Sequence, residues 1–531
     1  MAHRYNDLRN HLKALEENNL LYRIKREINK NTELHPLVRW QYRGGFSEEE
    51  RKAFLFENVI DTKGKRYDIP VAVGVYAASR YVYAIGLGCK PDEITAKWNY
   101  ALSHPIPPVV VPEGDAPVHE VVYTGDEVRK AGRGLDQFPI PISTPGFDCA
   151  PYSTCSNFVT KDPETGVQNI GNYRGQIKAR DRIGVHTSKN QDFTIHWKKC
   201  KAKGIPLEAA LVISPPPVVA TPASQRVPRG LDECSVAGGL AGEPIRVVKC
   251  KTVDIVVPAE SEIVFEGRFS TEFLEPEAPF GESHGHMNPR ELGYVFEITA
   301  VTHRKNCIWT SWISQVTPSE SSVLKRDAYN ILFLRYLKNE RRIPSVERVV
   351  MHEALTNLRK VTIVQMKNPS QEDVWRALYA TVSFEPTVGK IAIAVDDDID
   401  PENLDAVFWA LAYRMKPHKD TVILPHRGKQ HGPPFYLEDD KPEAPDDSAL
   451  LMNATLKEPF PPVALPKREF MEKARAIWEE LGLPKLRPES PWFGYSLGQW
   501  SDDLDEDARL AIEGDHYITG EKLAKMRVKQ R

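Results

Sequence analysis

The feature that most limits how this chain can fold is a change of rhythm at Pro318. Between about residue 119 and that point, short β-prone runs are broken by Gly and Pro. They include Glu120-Val-Val-Tyr, Ala209-Ala-Leu-Val-Ile, Ile245-Arg-Val-Val-Lys, Ile263-Val-Phe and Cys307-Ile-Trp-Thr-Ser-Trp-Ile. Short strands with frequent turns predict a barrel or sandwich, interrupted by one helix over Phe193 to Lys203. Beyond Pro318 the pattern alternates: helix Leu324–Lys338, strand Lys360–Met366, helix Gln371–Val382, strand Lys390–Val395, helix Asn403–Met415, strand Thr421–Leu424. That alternation predicts an α/β layer on a largely parallel sheet.

Ahead of the β-rich region, Asn6 to Glu17 places Leu8, Leu12 and Leu15 on one helical face with Asn6 as the cap. Tyr22 and Ile24 alternate with Arg23 and Lys25 as in an edge strand. Ala53-Phe-Leu-Phe-Glu and Pro70-Val-Ala-Val-Gly-Val-Tyr are further strands, and Pro91–Leu102 is a helix leading to a Pro-rich connector, Pro105–Pro112. Beyond Gly428 the chain is polar and Pro-rich, with acidic clusters at Glu438–Asp440 and Asp502–Asp507 and one helix, Lys467–Leu481. This tail has too little apolar pattern for its own core and reads as a surface arm embracing a neighbouring subunit. The expected class is α/β in the α+β multidomain sense. It comprises an N-terminal α/β domain (1–118), a β-barrel-like domain (119–318), a C-terminal α/β domain for oligomerisation (319–428) and an arm (429–531).

Composition narrows the function classes. A net charge of −3, with Lys and Arg spread along the chain, argues against nucleic acid as a partner. No apolar run approaches the ~20 residues of a membrane span, and no apolar stretch of signal-peptide type follows Met-Ala-His-Arg-Tyr-Asn-Asp. The 7 cysteines are odd in number and contain no Cys-x-x-Cys pair, which indicates neither a disulfide framework nor a zinc ribbon and favours the reducing cytoplasm.

Four stretches carry chemistry. Glu275-Pro-Glu-Ala-Pro-Phe-Gly-Glu-Ser-His-Gly-His gathers three carboxylates and two imidazoles, shaped by Pro276, Pro279, Gly281 and Gly285 into a loop rather than a helix or strand. It suits proton transfer or metal binding; taken alone, it equally suits a solvated acidic turn. Asn169-Ile-Gly-Asn-Tyr-Arg-Gly-Gln brings an amide, a phenol and a guanidinium together, with Arg174 able to grip a carboxylate or phosphate in two places. The bland alternative is a surface turn. His196, in Phe193-Thr-Ile-His-Trp-Lys-Lys, and Glu233, which opens an Ala/Gly-rich helical run, each have an ordinary structural alternative as well.

Together these stretches resemble the UbiD family of prenylated-flavin-dependent (de)carboxylases. The likeness extends from Asp7-Leu-Arg through Asp396-Asp-Asp-Ile-Asp and Trp409. It rests on Asn-Ile-Gly-x-Tyr-Arg, the Glu preceding Ala-Gly-x-Leu, and Pro-Glu-x-Pro-Phe-Gly-Glu, in that order. The resemblance implies prenylated FMN as cofactor, a Mn²⁺ held by Asn169, His196 and Glu233 that clamps the cofactor phosphate, and a K⁺ close by. It implies cofactor contacts from Asn169, Ile170, Gly171, Tyr173, Arg174 and Glu233, and by position from Ala223, Ser224 and Gln225. It also implies a catalytic network of Arg174, Glu277 and Glu282, with Glu282 as proton donor; Glu275 stays outside it.

Position alone puts His286, Trp309, Trp312 and Gln315 at the substrate pocket, and the tail aromatics of Pro491-Trp-Phe-Gly-Tyr-Ser-Leu-Gly-Gln-Trp at the pocket or a subunit interface. The expected activity is reversible non-oxidative decarboxylation of an aromatic or other unsaturated acid by a homo-oligomer, dimer or hexamer. Its cofactor would be supplied by a flavin prenyltransferase. Alternatives are a phthaloyl-CoA-type decarboxylase of an aromatic CoA thioester, a metal-dependent hydrolase with His284, His286 and Glu282 as ligands, and a non-catalytic flavin-storing protein.

Overall fold

The computed structural model describes residues 5, 7–187, 191–225, 227, 231–354, 356, 360–384, 388–427, 447–459, 461–486 and 500–528. At the centre is a ten-stranded sheet. Its spine runs Gln168–Asn172, Asn157–Lys161, Leu207–Ile213, Ile263–Phe269, Glu291–His303, Arg182–Val185, Gly175–Ala179 and Tyr152–Ser153, every neighbouring pair antiparallel. Glu291–His303 is 13 residues long and also pairs with Val121–Thr124 and Glu275–Glu277. One strand with four partners bends the sheet into a curled half-barrel. Aromatic residues pack in its core: Phe193 meets Phe269 at 4.7 Å and Phe158 meets Phe296 at 5.4 Å between ring centres, both edge-on.

The N-terminal region forms a four-stranded sheet, but one strand comes from far along the chain. Leu21–Ile24, Ala53–Phe56 and Val71–Val73 are completed by Trp309–Ser311, which lies parallel to Val71–Val73. The expected division at residue 118 is therefore crossed by backbone pairing, which no local pattern could reveal. The first helix is Leu8–Glu17, and its cap is Asp7, whose carboxylate accepts the Asn10 N–H at 2.8 Å; Asn6 lies outside the described residues.

The C-terminal sheet runs Val346–Met351, Val361–Met366, Ile391–Asp396, Asp447–Asn453, Thr421–Arg427. Its inner three strands are parallel and both edge strands antiparallel, so it is less uniformly parallel than the alternation predicted. Its fourth strand, Asp447–Asn453, falls inside the segment expected to be a surface arm. Alternate residues of that strand are buried, because Ala449 and Leu451 close the core that Val364 and Leu378 begin. Later helices Arg468–Glu480, Asp502–Glu513 and His516–Ala524 bury no residue. Glu438–Asp440 and residues 491–499 lie outside the described residues; Trp500 is exposed.

The helix Glu320–Arg335 joins the halves of the molecule. Ser319 caps it, and the wholly buried Glu320 reaches back to accept the Gly74 and Tyr76 N–H groups, both at 3.0 Å. Burial pushes the Glu320 carboxyl up to about 7 although these amides favour its charge.

Candidate active site

Leaving the strand Gln168–Asn172, the chain passes Tyr173 and Arg174 and re-enters the sheet at Gly175. A Cβ on Gly171 would collide with the Tyr173 phenol, so the Gly-x-Tyr spacing lets the ring fold back over the strand. Arg174 then spans two carboxylates. Its Nε and Nη2 donate to the Glu277 oxygens at 3.0 and 2.5 Å, and its Nη1 donates to Glu282. The Arg174 side chain is 8% exposed, Glu277 0% and Glu282 20%, so the triad is shut off from solvent on the Glu277 side. The guanidinium sits 5.5 Å from the Phe280 ring centre, and Tyr152 backs Phe280 at 4.3 Å. Burial works against the charge on Arg174, but Glu282 and Glu277 outweigh it and hold the pKa above its usual value.

The acidic stretch is less loop-like than the sequence implied. Glu275–Glu277 pairs with the long strand, Glu277 opposite Glu291, and Phe280–Gly281 forms a small ladder with Met287–Asn288. A Cβ on Gly293 would come within 2.9 Å of both the Glu277 Cβ and the Val185 carbonyl, so glycine is what admits Glu277 to the sheet face. The turn before Glu282 is tied by Asp148, which accepts the Gly281 N–H at 3.2 Å and the Thr144 N–H at 2.6 Å. Burial lifts the Asp148 carboxyl to about 6. Arg39 braces the same corner, donating to the Ser143 carbonyl at 3.0 Å and to Gln315 Oε1 at 2.5 Å. Glu275 pairs with Lys178 at 2.8 Å, apart from the triad.

Asn169, His196 and Glu233 converge on one strand. Glu233, capped into its helix by Asp232, accepts the Ile170 N–H at 3.0 Å. Thr160 faces Asn169 across the sheet and its hydroxyl meets His196 Nδ1 at 2.9 Å, which leaves Nε2 available. Burial lowers the His196 pKa and favours the neutral ring that a metal requires. The Glu233 carboxyl is pushed up to about 8, first by burial and then by Asp232 and Asp192. No described Lys or Arg pairs with it, and Asn169 Nδ2 is buried without a hydrogen-bond partner. A buried carboxylate lacking a counter-cation, beside an imidazole and an amide, fits a divalent ion with mixed O and N ligands such as Mn²⁺.

The other expected site residues are placed less uniformly. Ala223 ends the helix Pro217–Ala223; Ser224 caps it through the Ala220 carbonyl, and Gln225 donates to the Leu324 carbonyl at 2.9 Å. Gln315 lies beneath the Gly281 turn, where a Cβ on Gly281 would meet its Cγ at 2.9 Å. Trp309 and Trp312 do not reach a pocket mouth. Both are 0% exposed: Trp309, in the strand Trp309–Ser311, packs with Phe138 and Phe265, and Trp312, just after it, packs with Tyr76. His286 is exposed; its N–H meets His284 Nδ1 at 3.2 Å and the two rings stack at 5.9 Å. Among the described residues no three His, Cys, Asp or Glu side chains form a metal site, so Glu282, His284 and His286 do not assemble as the hydrolase alternative required.

Beside the triad stand His186 and Glu291, which no sequence motif marked. His186 follows the strand Arg182–Val185, and its Nε2 lies 3.4 Å from Glu291 Oε2. The available signal was faint: a histidine one residue past a Gly-Val pair, with nothing local to link it to Arg174.

Comparison with known proteins agrees with this arrangement. Three family models match in chain order: the 3-octaprenyl-4-hydroxybenzoate carboxy-lyase N-terminal domain over residues 12–102, its Rift-related domain over 109–316 and its C-terminal domain over 327–433. An uncharacterized protein of Archaeoglobus fulgidus is 30% identical over 439 residues, covering 79% of this chain and 86% of that one. Vanillic acid decarboxylase of Sedimentibacter hydroxybenzoicus, in its closed form, is 27% identical with a TM-score of 0.77, covering 90% of this chain and 99% of its own. An evolved dimeric form of the UbiD-class enzyme HmfF from Pelotomaculum thermopropionicum, in complex with prenylated FMN, is 26% identical with a TM-score of 0.73, covering 87% and 97%. With fold, motifs and three successive domains in accord, the chain belongs to the UbiD family, whose members are prenylated-FMN-dependent carboxy-lyases.

Proposed function

We propose that this protein decarboxylates an aromatic or other unsaturated carboxylic acid, with Glu282 as the proton donor. The observation that carries this reading is the Glu277–Arg174–Glu282 triad. Glu277 grips the guanidinium at two points and is fully buried, whereas Glu282 meets it through one nitrogen and is 20% exposed, so Glu282 is the carboxyl placed to pass a proton to a substrate. Arg174, kept cationic, orients the substrate carboxylate, while Phe280 and Tyr152 exclude water beneath it. As CO₂ leaves, Glu282 delivers its proton to the vacated carbon. Prenylated FMN, when bound, supplies the electron sink for the carbon–carbon cleavage.

Asn169, His196 and Glu233 would hold Mn²⁺ against the cofactor phosphate; the neighbouring K⁺ and the contacts from Ala223, Ser224 and Gln225 rest on the family resemblance. A free acid is preferred to a CoA thioester because the vanillic acid decarboxylase is so similar over its whole length. A homo-oligomer fits both the uncovered C-terminal helices and the dimeric relative. Seven free thiols suit a reducing cytoplasm, where a flavin prenyltransferase would supply the cofactor.

The test is Glu282→Gln in protein produced with a flavin prenyltransferase and assayed against vanillic and 3,4-dihydroxybenzoic acids and their analogues. Metal and flavin content should match the parent, because Glu282 belongs to neither ligand set. Turnover should fall by roughly 10²–10⁴-fold, and product ring-proton exchange with D₂O should fall with it. A variant that retains most of its turnover and exchange would remove Glu282 from the mechanism.

A further inference from the structure

Decarboxylation of an ionised acid consumes a proton: R–COO⁻ + H⁺ gives R–H + CO₂. If Glu282 delivers that proton, its carboxylate must be reloaded from solvent once per turnover. Within the triad only Glu282 is open, by 20%, and a proton donor's open side is the one its substrate covers. Glu277 is 0% exposed, and the guanidinium between the two carboxylates does not give up a proton in proteins.

The sheet register shows what stands next to the triad. Val185 is paired with Gly175 on one side and Tyr294 on the other. One residue further along these antiparallel ladders, His186 falls between Arg174 and Gly293. Gly293 in turn faces Glu275, and Glu291 faces Glu277. His186 is thus flanked by the triad inward and by Glu291 outward, with Nε2 3.4 Å from Glu291 Oε2. Its side chain is 29% exposed and that of Glu291 40%, so this pair reaches solvent where Glu277 does not. Burial and then the Arg174 charge lower the His186 pKa, against the opposing pull of Glu291, Glu277 and Glu282. These four are the charged groups that face it. A ring so placed is neutral at rest and holds a proton only in passage.

We propose that His186, with Glu291 at its outer side, is the inlet through which solvent protons reload Glu282. This rests on the reading of Glu282 as proton donor. A proton from water or buffer is taken up at the Glu291 side on Nε2, forming the imidazolium. The Nδ1 proton is released toward the Glu282 carboxylate, restoring the carboxyl and leaving a neutral ring with its proton on Nε2; a flip of the imidazole then turns that N–H inward and resets the relay. Each cycle moves one proton inward, matching the one that leaves as the new C–H bond. His186 acts through Glu282 and touches no reacting atom.

The experiment compares His186→Ala and His186→Gln holoenzymes with the parent on whichever acid of the vanillic and 3,4-dihydroxybenzoic series the parent turns over fastest. In each variant, rapid mixing should show a burst of one CO₂ per site followed by a steady rate slower by roughly tenfold or more. That steady rate should rise with buffer concentration and be restored by added imidazole in proportion to its protonated fraction. A steady rate equal to the parent's, or a loss that imidazole and buffer leave unchanged, would overturn the inlet. A parent holoenzyme that carries prenylated FMN yet turns over no acid would instead count against the functional reading. The two failures are therefore distinct.

Discussion

Thr160 stands opposite Asn169 on paired strands and binds His196 Nδ1 at 2.9 Å, so one hydroxyl fixes the ring of one expected metal ligand beside another. His196→Ala should therefore lose manganese and flavin together in a folded protein. Thr160→Val keeps the imidazole but frees its rotation, and should weaken metal retention by about 10–100-fold, as loss of an orienting partner does. Metal analysis and flavin absorbance after gel filtration with and without a chelator check both. Full metal and flavin content in folded His196→Ala would refute the assignment.

Gly293 makes a sharper steric test. Its missing side chain leaves room for Glu277, so Gly293→Ala must push either the Glu277 Cβ or the Val185 carbonyl. The expected cost is about 1–3 kcal/mol in urea unfolding, as for an overpacked interior. Turnover should fall further than stability accounts for, because Glu277 aims Arg174. An alanine variant of normal stability and activity would contradict the packing described.

Glu320 predicts a pH dependence of stability. Its folded pKa of about 7 lies above the ordinary 4.5, so the folded protein binds the extra proton between those values. Its contribution is fully present below about pH 4.5, fades as pH rises through about 7, and is absent above. The full swing is about 3 kcal/mol. Glu320→Gln removes this term but also exchanges one amide-accepting oxygen for a donor. It should start less stable at pH 5 and show a flatter decline toward pH 8. Parallel pH–stability curves for the two proteins would rule the term out.

The last three helices and the residues just after them leave Ile477, Leu481, Ile512, Ile518 and Met526 exposed, each by more than 45%. Such a run of apolar side chains is characteristic of a surface covered by another copy. Light scattering at micromolar concentration should report at least a dimer, and truncation after residue 466 should give a smaller assembly. A monomer at full length would oppose this.

What the sequence made legible follows from physics that acts locally. The helices Leu8–Glu17 and Gln371–Ser383 and the strands Val361–Met366 and Ile391–Asp396 carry their burial pattern within themselves. The meeting of Arg174, Glu277 and Glu282 was implied by the family resemblance alone; what the residues themselves show is local, as where Gly171 makes room for Tyr173. Asp447–Asn453 was missed because a Pro-rich acidic stretch hides a strand whose parallel partner, Ile391–Asp396, lies more than fifty residues earlier. Trp309 and Trp312 were placed at the pocket by position alone, and position along the chain does not reveal which layers cover a strand. His186 was invisible because its meaning comes from register, and register is decided by the whole sheet.

The strand Trp309–Ser311 has a consequence for how such a protein can be divided or inherited. Residues 5–118 without it would end in a bare sheet edge at Val71–Val73, buried apolar residues whose unmet amides invite aggregation. The C-terminal sheet, by contrast, draws all five strands from residues 346–453 and closes on itself. The exchangeable block in this architecture is thus the C-terminal layer, while the N-terminal region and the half-barrel must travel, fold and diversify as one piece.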